Sequence, residues 1–356
     1  MNPRPLEAPQ ALDSLHAFDA VLDVRSPGEF ALDHLPRADN WWVLDDAQRA
    51  RVGTLYHQQG AFEARRLGAV LTARNIALHI EQQAAAWPRG QRVLVYCWRG
   101  GQRSAAMAHV LAQVGFSVAV VRGGYKALRA ALVAQLARRP AELRLLVVCG
   151  RTGSGKSRLL QALHAEGAQV LDLEALAAHR GSVLGALPDC EQPTQKAFET
   201  AIWERLRAFD TTRPVYVESE SRKIGRLQIP DALLDAMRAS PCLHLRASDA
   251  VRVRILREDY AALGADLPGL QQRLQALRAL RGHALVEHWC ALAAQGDLDG
   301  LVGELLTLHY DPGYEASMRR NFAGLAEARQ LDVPRPAGFA DLARALHAES
   351  GVAPAG

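Results

Sequence analysis

Short apolar runs alternate with stretches of helical periodicity along most of the chain. Residues 20–24 (AVLDV), 92–96 (RVLVY) and 118–121 (VAVV) read as buried strands. Residues 103–114 (RSAAMAHVLAQV) lie between the last two and carry apolar side chains at helical spacing. At 138–142 (RRPAE) the pattern breaks, with Pro140 ending the helix before it. A second unit opens with the strand run 143–149 (LRLLVVC), and 170–173 and 214–218 (PVYVE) read as its later strands. Strands interleaved with helices in this way predict parallel sheets of the α/β class. From about residue 248 the chain turns to Leu/Ala/Arg helical stretches such as 269–280, without strand runs, and the last 25 residues read as a short helix and a loose tail. The expected organisation is a first α/β domain over 1–137, a linker at 138–143, a second α/β domain over 144–247, a helical extension over 248–330 and a C-terminal helix and tail over 331–356.

Composition narrows the class. The 356 residues suit about two domains. With 49% apolar and 22% charged residues, disorder and fibrous folds are excluded. No apolar run approaches the ~18 residues of a membrane span, and the first twenty residues lack a basic start and an apolar core, so neither a membrane anchor nor a secretory leader is expected. The five cysteines, Cys97, Cys149, Cys190, Cys242 and Cys290, match no metal knuckle or redox pair, which fits a reducing cytoplasm. The net charge of +4 is uninformative until it is mapped. Residues 89–160 hold 13 basic residues against the single acid Glu142, whereas the segments on either side are net acidic. A basic block of this kind suits a polyanionic partner.

That block contains two chemically loaded stretches. In the first, Cys97-Trp98-Arg99-Gly100-Gly101-Gln102-Arg103-Ser104 joins a predicted strand to a predicted helix. A cysteine there faces free N–H groups and the positive end of the helix, Arg99 and Arg103 add charge, and the two glycines let the backbone curl into an anion cradle. The pattern marks Cys97 as a nucleophile. In the second, Gly150-Arg151-Thr152-Gly153-Ser154-Gly155-Lys156-Ser157 is a complete G-x-x-x-x-G-K-[ST] between a strand and a helix. Its amides and Lys156 suit two linked phosphates, and Ser157 suits Mg²⁺. Glu218, ending the strand run 214–218, is the candidate second metal ligand, with Glu220 as its competitor. The loop specifies phosphates without specifying a nucleotide.

The first stretch resembles the active loop of rhodanese domains, which carry sulfur as a cysteine persulfide. Asp23-Val24-Arg25-Ser26-Pro27-Gly28-Glu29-Phe30, Asp33-His34-Leu35-Pro36 and Asn40 extend the likeness upstream. Five residues separate Cys97 from Arg103, one more than in many single-domain rhodaneses. The same C-x5-R spacing occurs in cysteine phosphatases, so a phosphate-bearing group suits the longer loop. Combined with a P-loop, the chain resembles the tRNA 2-selenouridine synthase family. Leu171-Asp172-Leu173-Glu174, His179-Arg180-Gly181-Ser182, Val217-Glu218-Ser219-Glu220-Ser221-Arg222 and His309-Tyr310-Asp311-Pro312-Gly313-Tyr314 carry the likeness further. The resemblance implies an N-terminal rhodanese-like parallel-sheet domain followed by a P-loop NTPase-like α/β domain with a helical C-terminal extension.

It also implies a two-step reaction on the wobble 2-thiouridine of a tRNA anticodon loop: S-geranylation from geranyl diphosphate, then replacement of the geranylated sulfur by selenium from selenophosphate, carried as a Cys97 perselenide. Arg180, Ser182, Glu220 and Arg222 are further substrate-site candidates. No tightly bound cofactor is expected beyond Mg²⁺, and a cytoplasmic monomer acting on tRNA and small molecules, away from membranes, is the expected state. Trp98, beside the nucleophile, either packs against the loop or offers a stacking surface to an unpaired base, and Trp41-Trp42 poses the same choice. The residues alone leave three other readings open: a P-loop kinase or NTPase with a rhodanese module, a C-x5-R cysteine phosphatase, and a non-catalytic RNA-binding scaffold.

Overall fold

In the structure, a computed structural model that describes residues 2–182, 185, 190–261, 264, 266–333, 335 and 338–349, the apolar runs become two five-stranded parallel sheets. The chain divides into a first unit, Met1–Leu136 with Thr194–Glu204, and a second, Ala137–Pro193 with Arg205–Gly356.

The first unit contains β1 (Arg4–Leu6), β2 (Ala20–Asp23), β3 (Ala38–Asn40), β4 (Arg92–Tyr96) and β5 (Ser117–Val121), in the order β1-β5-β4-β2-β3 with every pairing parallel. Its helices are α1 (Ala8–Asp13), α2 (Pro27–Leu32), α3 (Asp46–Gln59), α4 (Ala61–Gln83), α5 (Gln102–Val114) and α6 (Gly124–Leu136). Parallel strands need helical crossovers and are covered by them, so Leu22, Val93 and Val95 are fully buried beside Met107 and Leu111 of α5. Trp41 is core, 1% exposed and stacked with Trp87 and His79, which removes it as a base platform.

The second unit contains β6 (Arg144–Cys149), β7 (Gln169–Leu171), β8 (Pro214–Glu218), a small hairpin of β9 (Lys223–Ile224) and β10 (Leu227–Gln228), then β11 (Pro241–Arg246) and β12 (Gly324–Asp332). The sheet order is β12-β11-β6-β8-β7, again all parallel. Helices α7 (Lys156–Ala165), α8 (Leu173–Leu176), α9 (Gln195–Ala208), α10 (Asp231–Ala239) and α11 (Asp249–Asp259) accompany it. Beyond α11, helices including Leu267–Gln275, His283–Ala294 and Leu298–Glu304 close a satellite core around Leu274, Val286 and Trp289.

Three features differ from the sequence expectation. The segment 248–330, expected to be helical throughout, ends in β12, which pairs with β11. Its Ala/Glu/Arg-rich sequence lacks a β signal, and pairing to a distant strand decides its state. The start of α9 belongs with the first unit, where Glu199 pairs with Arg129 and Trp203 Nε1 donates to Gln135 Oε1 at 2.7 Å. The linker 138–143 includes a 3₁₀ turn, Arg139–Glu142, pinned where Arg139 donates to the Leu206 and Phe209 carbonyls. The C-terminal helix is Phe339–Glu349, with Phe339, Ala343 and Leu346 buried in the second core. The expected tail beyond it, 350–356, lies outside the described residues. Among the described residues, no helix is long and apolar enough to cross a membrane.

Candidate functional site

Each chemically loaded stretch leaves the C-terminal end of the central strand of its sheet, β4 or β6, and runs into a helix. This is where open α/β sheets bind ligands. Asp45, Asp172 and Ser248 cap other helices with their side chains, but the residues preceding α5 and α7 are Gly101 and Gly155, which have no side chain to cap with. The first-turn N–H groups of these two helices are therefore left to an anion.

In the cysteine loop, Cys97 is 2% exposed, and the Ser104 hydroxyl lies 3.2 Å from its Sγ and 3.1 Å from the Gly101 carbonyl. Gly100 turns the loop at φ +66° and packs against the Val121 carbonyl and the Gly123 amide. Gly124, at φ +58°, comes so close that a Cβ there would sit 2.2 Å from the Cys97 carbonyl. The Tyr125 and Lys126 amides donate to the Cys97 and Trp98 carbonyls at 2.7 and 3.1 Å. The Gly123-Gly124 turn after β5 is thus the second wall of the site. Sequence reading missed it, although two adjacent glycines after a strand were a usable signal.

A buried polar network stands behind this wall. Arg25 forks onto Asp23 and donates to the Asp33 carbonyl at 2.6 Å, its guanidinium 3.9 Å from the centre of the Tyr125 ring. Tyr125 donates to Asp33 Oδ2 at 2.6 Å, and the Leu35 amide donates to the Tyr96 hydroxyl at 3.1 Å. The D-V-R segment is therefore structural: with Asp33 and Leu35 it fastens the residues after β2 to Tyr96 at the end of β4 and to Tyr125 of α6. Trp98 stacks on Tyr125 at 5.4 Å, the packing arrangement, with part of its surface still exposed.

Among the loop cations, Arg103 bonds Glu29 at 2.9 Å. Burial alone would raise the Glu29 pKa, but Arg103 and the Ser26 amide outweigh it and hold the carboxyl below its ordinary range. Arg99 and Lys126 are exposed and form no ion pair among the described residues. Gln102 and Gly101 are exposed at the helix start.

The P-loop takes its shape from Gly153 at φ +78° and Gly155 at φ +86°; a Cβ on Gly155 would meet Phe339 of the C-terminal helix at 2.1 Å. Residues far along the chain hold it. Arg252, 1% exposed, donates to the Thr152 carbonyl at 2.9 Å and pairs with Asp311, which also takes Arg151 at 3.1 Å. The Gly150 amide donates to the Tyr314 hydroxyl at 2.6 Å, Lys156 Nζ donates to the Gly150 carbonyl at 2.9 Å, and Ser154 is buried. Arg252, Asp311 and Tyr314 were not singled out as supports of the loop, because that role depends on contacts across 59 to 164 residues.

Beside Lys156, the Ser157 hydroxyl lies 3.1 Å from Glu174 and 3.5 Å from Glu218. Oxygens of Glu174, Glu218 and Glu220 all fall within 4.8 Å of one another. Glu218 and Glu220 therefore lie together rather than as alternatives, and Glu174 joins them from α8. Burial is the main reason that all three carboxyl pKa values are raised, that of Glu220 to about 8; repulsion by Glu174 adds to it at Glu218 and Glu220, and repulsion by Asp172 adds to it at Glu174. A compact set of hard oxygen donors short of positive charge, next to the P-loop serine, fits Mg²⁺. Glu174, Glu220 and Ser157 line a cavity of about 670 Å³ that Arg180, Ser182 and Arg222 also line, with Glu218 buried behind them. Arg180 lies 4.7 Å from the centre of the Tyr260 ring, whereas Arg222 is paired with Asp231 at 2.7 Å.

A cysteine at an uncapped helix start within one parallel sheet, and a phosphate loop with its carboxylates within another, define a rhodanese-like domain followed by a P-loop domain. Comparison with known proteins agrees and is more specific. Residues 6–131 match the rhodanese-like domain, and 143–266 match the tRNA 2-selenouridine synthase AAA domain. The tRNA 2-selenouridine synthase of Alcanivorax borkumensis is 32% identical over 84% of this chain and 90% of its own length. That of Cupriavidus necator is 36% identical over 83% and 87%. The one from Nitrosomonas europaea is 37% identical over 67% of this chain, an alignment that spans 63% of that relative. The chain belongs to the tRNA 2-selenouridine synthase family.

Proposed function

We propose that the chain converts the wobble 2-thiouridine of tRNA into 2-selenouridine in two steps, one at each loop. In the first, the thione sulfur attacks C1 of geranyl diphosphate, a C–S bond forms, and the C–O bond to diphosphate breaks. Lys156 and the amides of Gly153–Lys156 face the departing diphosphate and stabilise its developing charge. Glu174, Glu218, Glu220 and Ser157 would hold Mg²⁺, which supplies further charge neutralisation at that oxygen. Alkylation turns the sulfur into a leaving group.

In the second step a selenium–C2 bond forms and geranylthiol departs. Cys97 presents the selenium as a perselenide, with the uncapped amides of α5 and the Arg99 and Lys126 charges around it. Selenophosphate carries selenium at the selenide level, so forming the perselenide takes up an oxidising equivalent and delivery to C2 returns it. A thiol–disulfide couple balances both.

The observation that supports this reading is the pairing, in one chain of this family, of a cysteine loop with free cations and a phosphate loop with a carboxylate cluster. The exposed Arg99 and Lys126 also suit the backbone of an anticodon loop. To test it, the protein is incubated with 2-thiouridine tRNA and geranyl diphosphate, with and without selenophosphate, and the nucleosides are read by mass spectrometry. S-geranyl-2-thiouridine should form without selenophosphate and 2-selenouridine with it. Absence of both, with ATP hydrolysed instead, would mark the second unit as an NTPase.

A further inference from the structure

A second cavity, of about 330 Å³, adjoins the P-loop cavity, and the two share Thr152, Ser182, Leu256, Tyr260 and Tyr310. Away from that shared rim its wall is hydrocarbon: Leu270, Leu298, Leu301, Val302 and Leu305. Leu301, at 1%, and Leu270 and Leu305, at 6%, are buried, and Leu298 and Val302 are half-buried at the wall. The polar groups nearby are engaged. Ser182 bonds the Tyr260 and Tyr310 hydroxyls, and Arg257 is paired with Asp299. A nucleotide base would leave its ring nitrogens unpartnered against such a wall.

Resting on the reading of the P-loop as a diphosphate cradle, we infer that this cavity is the chain pocket of the diphosphate substrate, holding a hydrocarbon tail of about ten carbons while the diphosphate lies on Lys156 and the loop amides. Size supports the assignment. An apolar cavity of roughly 150 Å³ takes the six carbons of benzene, so 330 Å³ admits about a dozen carbons and a fifteen-carbon chain overfills it. The leucines and Val302 then set chain length.

The test is a binding titration on the full chain with Mg²⁺, using inorganic diphosphate, prenyl diphosphates of five, ten and fifteen carbons, and ATP. The ten-carbon compound should bind at least about a hundredfold tighter than inorganic diphosphate, since each buried methylene adds favourable transfer energy, and tighter than its shorter and longer homologues. Val302→Phe, which fills the pocket, should weaken the ten-carbon compound about tenfold or more and leave inorganic diphosphate unchanged, a result that also reports an intact fold. Leu298→Ala, which enlarges the pocket, should shift preference toward fifteen carbons. If the wild type prefers ten carbons but neither variant moves that preference, the chain lies elsewhere and the diphosphate reading stands. If the wild type binds ATP and discriminates no prenyl chain, the reading of the P-loop itself fails and the pocket assignment with it.

Discussion

The cysteine loop and the P-loop occupy equivalent places, each leaving the central strand of a parallel sheet, yet they are held in opposite ways. Backbone fixes the cysteine loop: Gly100 and Gly124 pack face to face, and the Tyr125 and Lys126 amides clasp the loop carbonyls. Asp23 is paired with Arg25 and Glu29 with Arg103, while Arg99 and Lys126 stand exposed and form no ion pair among the described residues. Distant charged side chains fix the P-loop, with Arg252 and Asp311 bridging it, and beside it three carboxyls crowd together with raised pKa values. A nucleophile that must meet one electrophilic atom gains from a cradle without moving parts. A site proposed to take a metal and a departing diphosphate instead gathers carboxyls that would give up their protons to the metal.

The sharpest break of this comparison comes from removing each loop's reactive group. Cys97→Ser should cut selenation at least about a thousandfold and leave S-geranylation intact. Lys156→Ala should cut S-geranylation about a hundredfold or more, while a tRNA supplied already geranylated is still selenated. Nucleoside mass spectrometry reads both, and loss of both steps in either variant would deny that the loops divide the labour.

The backbone clasp is tested next. Gly124→Ala places a Cβ 2.2 Å from the Cys97 carbonyl at φ +58° and should destabilise the first unit by about 3 kcal/mol in urea unfolding. Gly101→Ala, with nothing within 4 Å, should stay within about 0.5 kcal/mol.

The crowded carboxyls have a pH signature. The folded Glu220 carboxyl holds its proton up to about 8, well above the ordinary glutamate range. The native state therefore binds more protons than the unfolded chain, and stability falls as pH rises from about 5 to 8. Without Mg²⁺ the loss should exceed about 1 kcal/mol across that window; saturating Mg²⁺ should flatten it, and binding near pH 7 should release protons measurable in weakly buffered calorimetry. A flat profile without metal would contradict the crowding.

The smallest effect belongs to Glu29→Gln, which breaks the ion pair with Arg103 at a cost of about 1 kcal/mol or less. The Glu29 pKa is depressed by its partners, so the pair contributes fully above the ordinary glutamate pKa. That contribution is lost as pH falls through the depressed value, and the variant should lack this acid limb in thermal melts.

Both reactive loops are legible in the chain itself, because each is a contiguous run whose residue order encodes its chemistry: nucleophile, glycine curl and cation for Cys97-Trp98-Arg99-Gly100-Gly101, and glycine curl, lysine and hydroxyl for Gly150 to Ser157. The strands β4, β6 and β8 are equally legible, since an unbroken apolar run announces burial on both faces. What surrounds the loops is not contiguous. Arg103 carries its charge to Glu29, Glu174 meets Glu218 and Glu220 from another segment, Asp311 reaches back to Arg151 and Arg252, and β12 becomes a strand because β11 offers it an edge. The sequence by itself determined the two candidate loops and the sheets that carry them, since those follow from local order and periodicity. Only the tertiary structure decided which charges stay free, which carboxyls share a proton load, and that an apolar cavity opens beside the phosphate loop, because each of these is a balance among side chains brought together by folding.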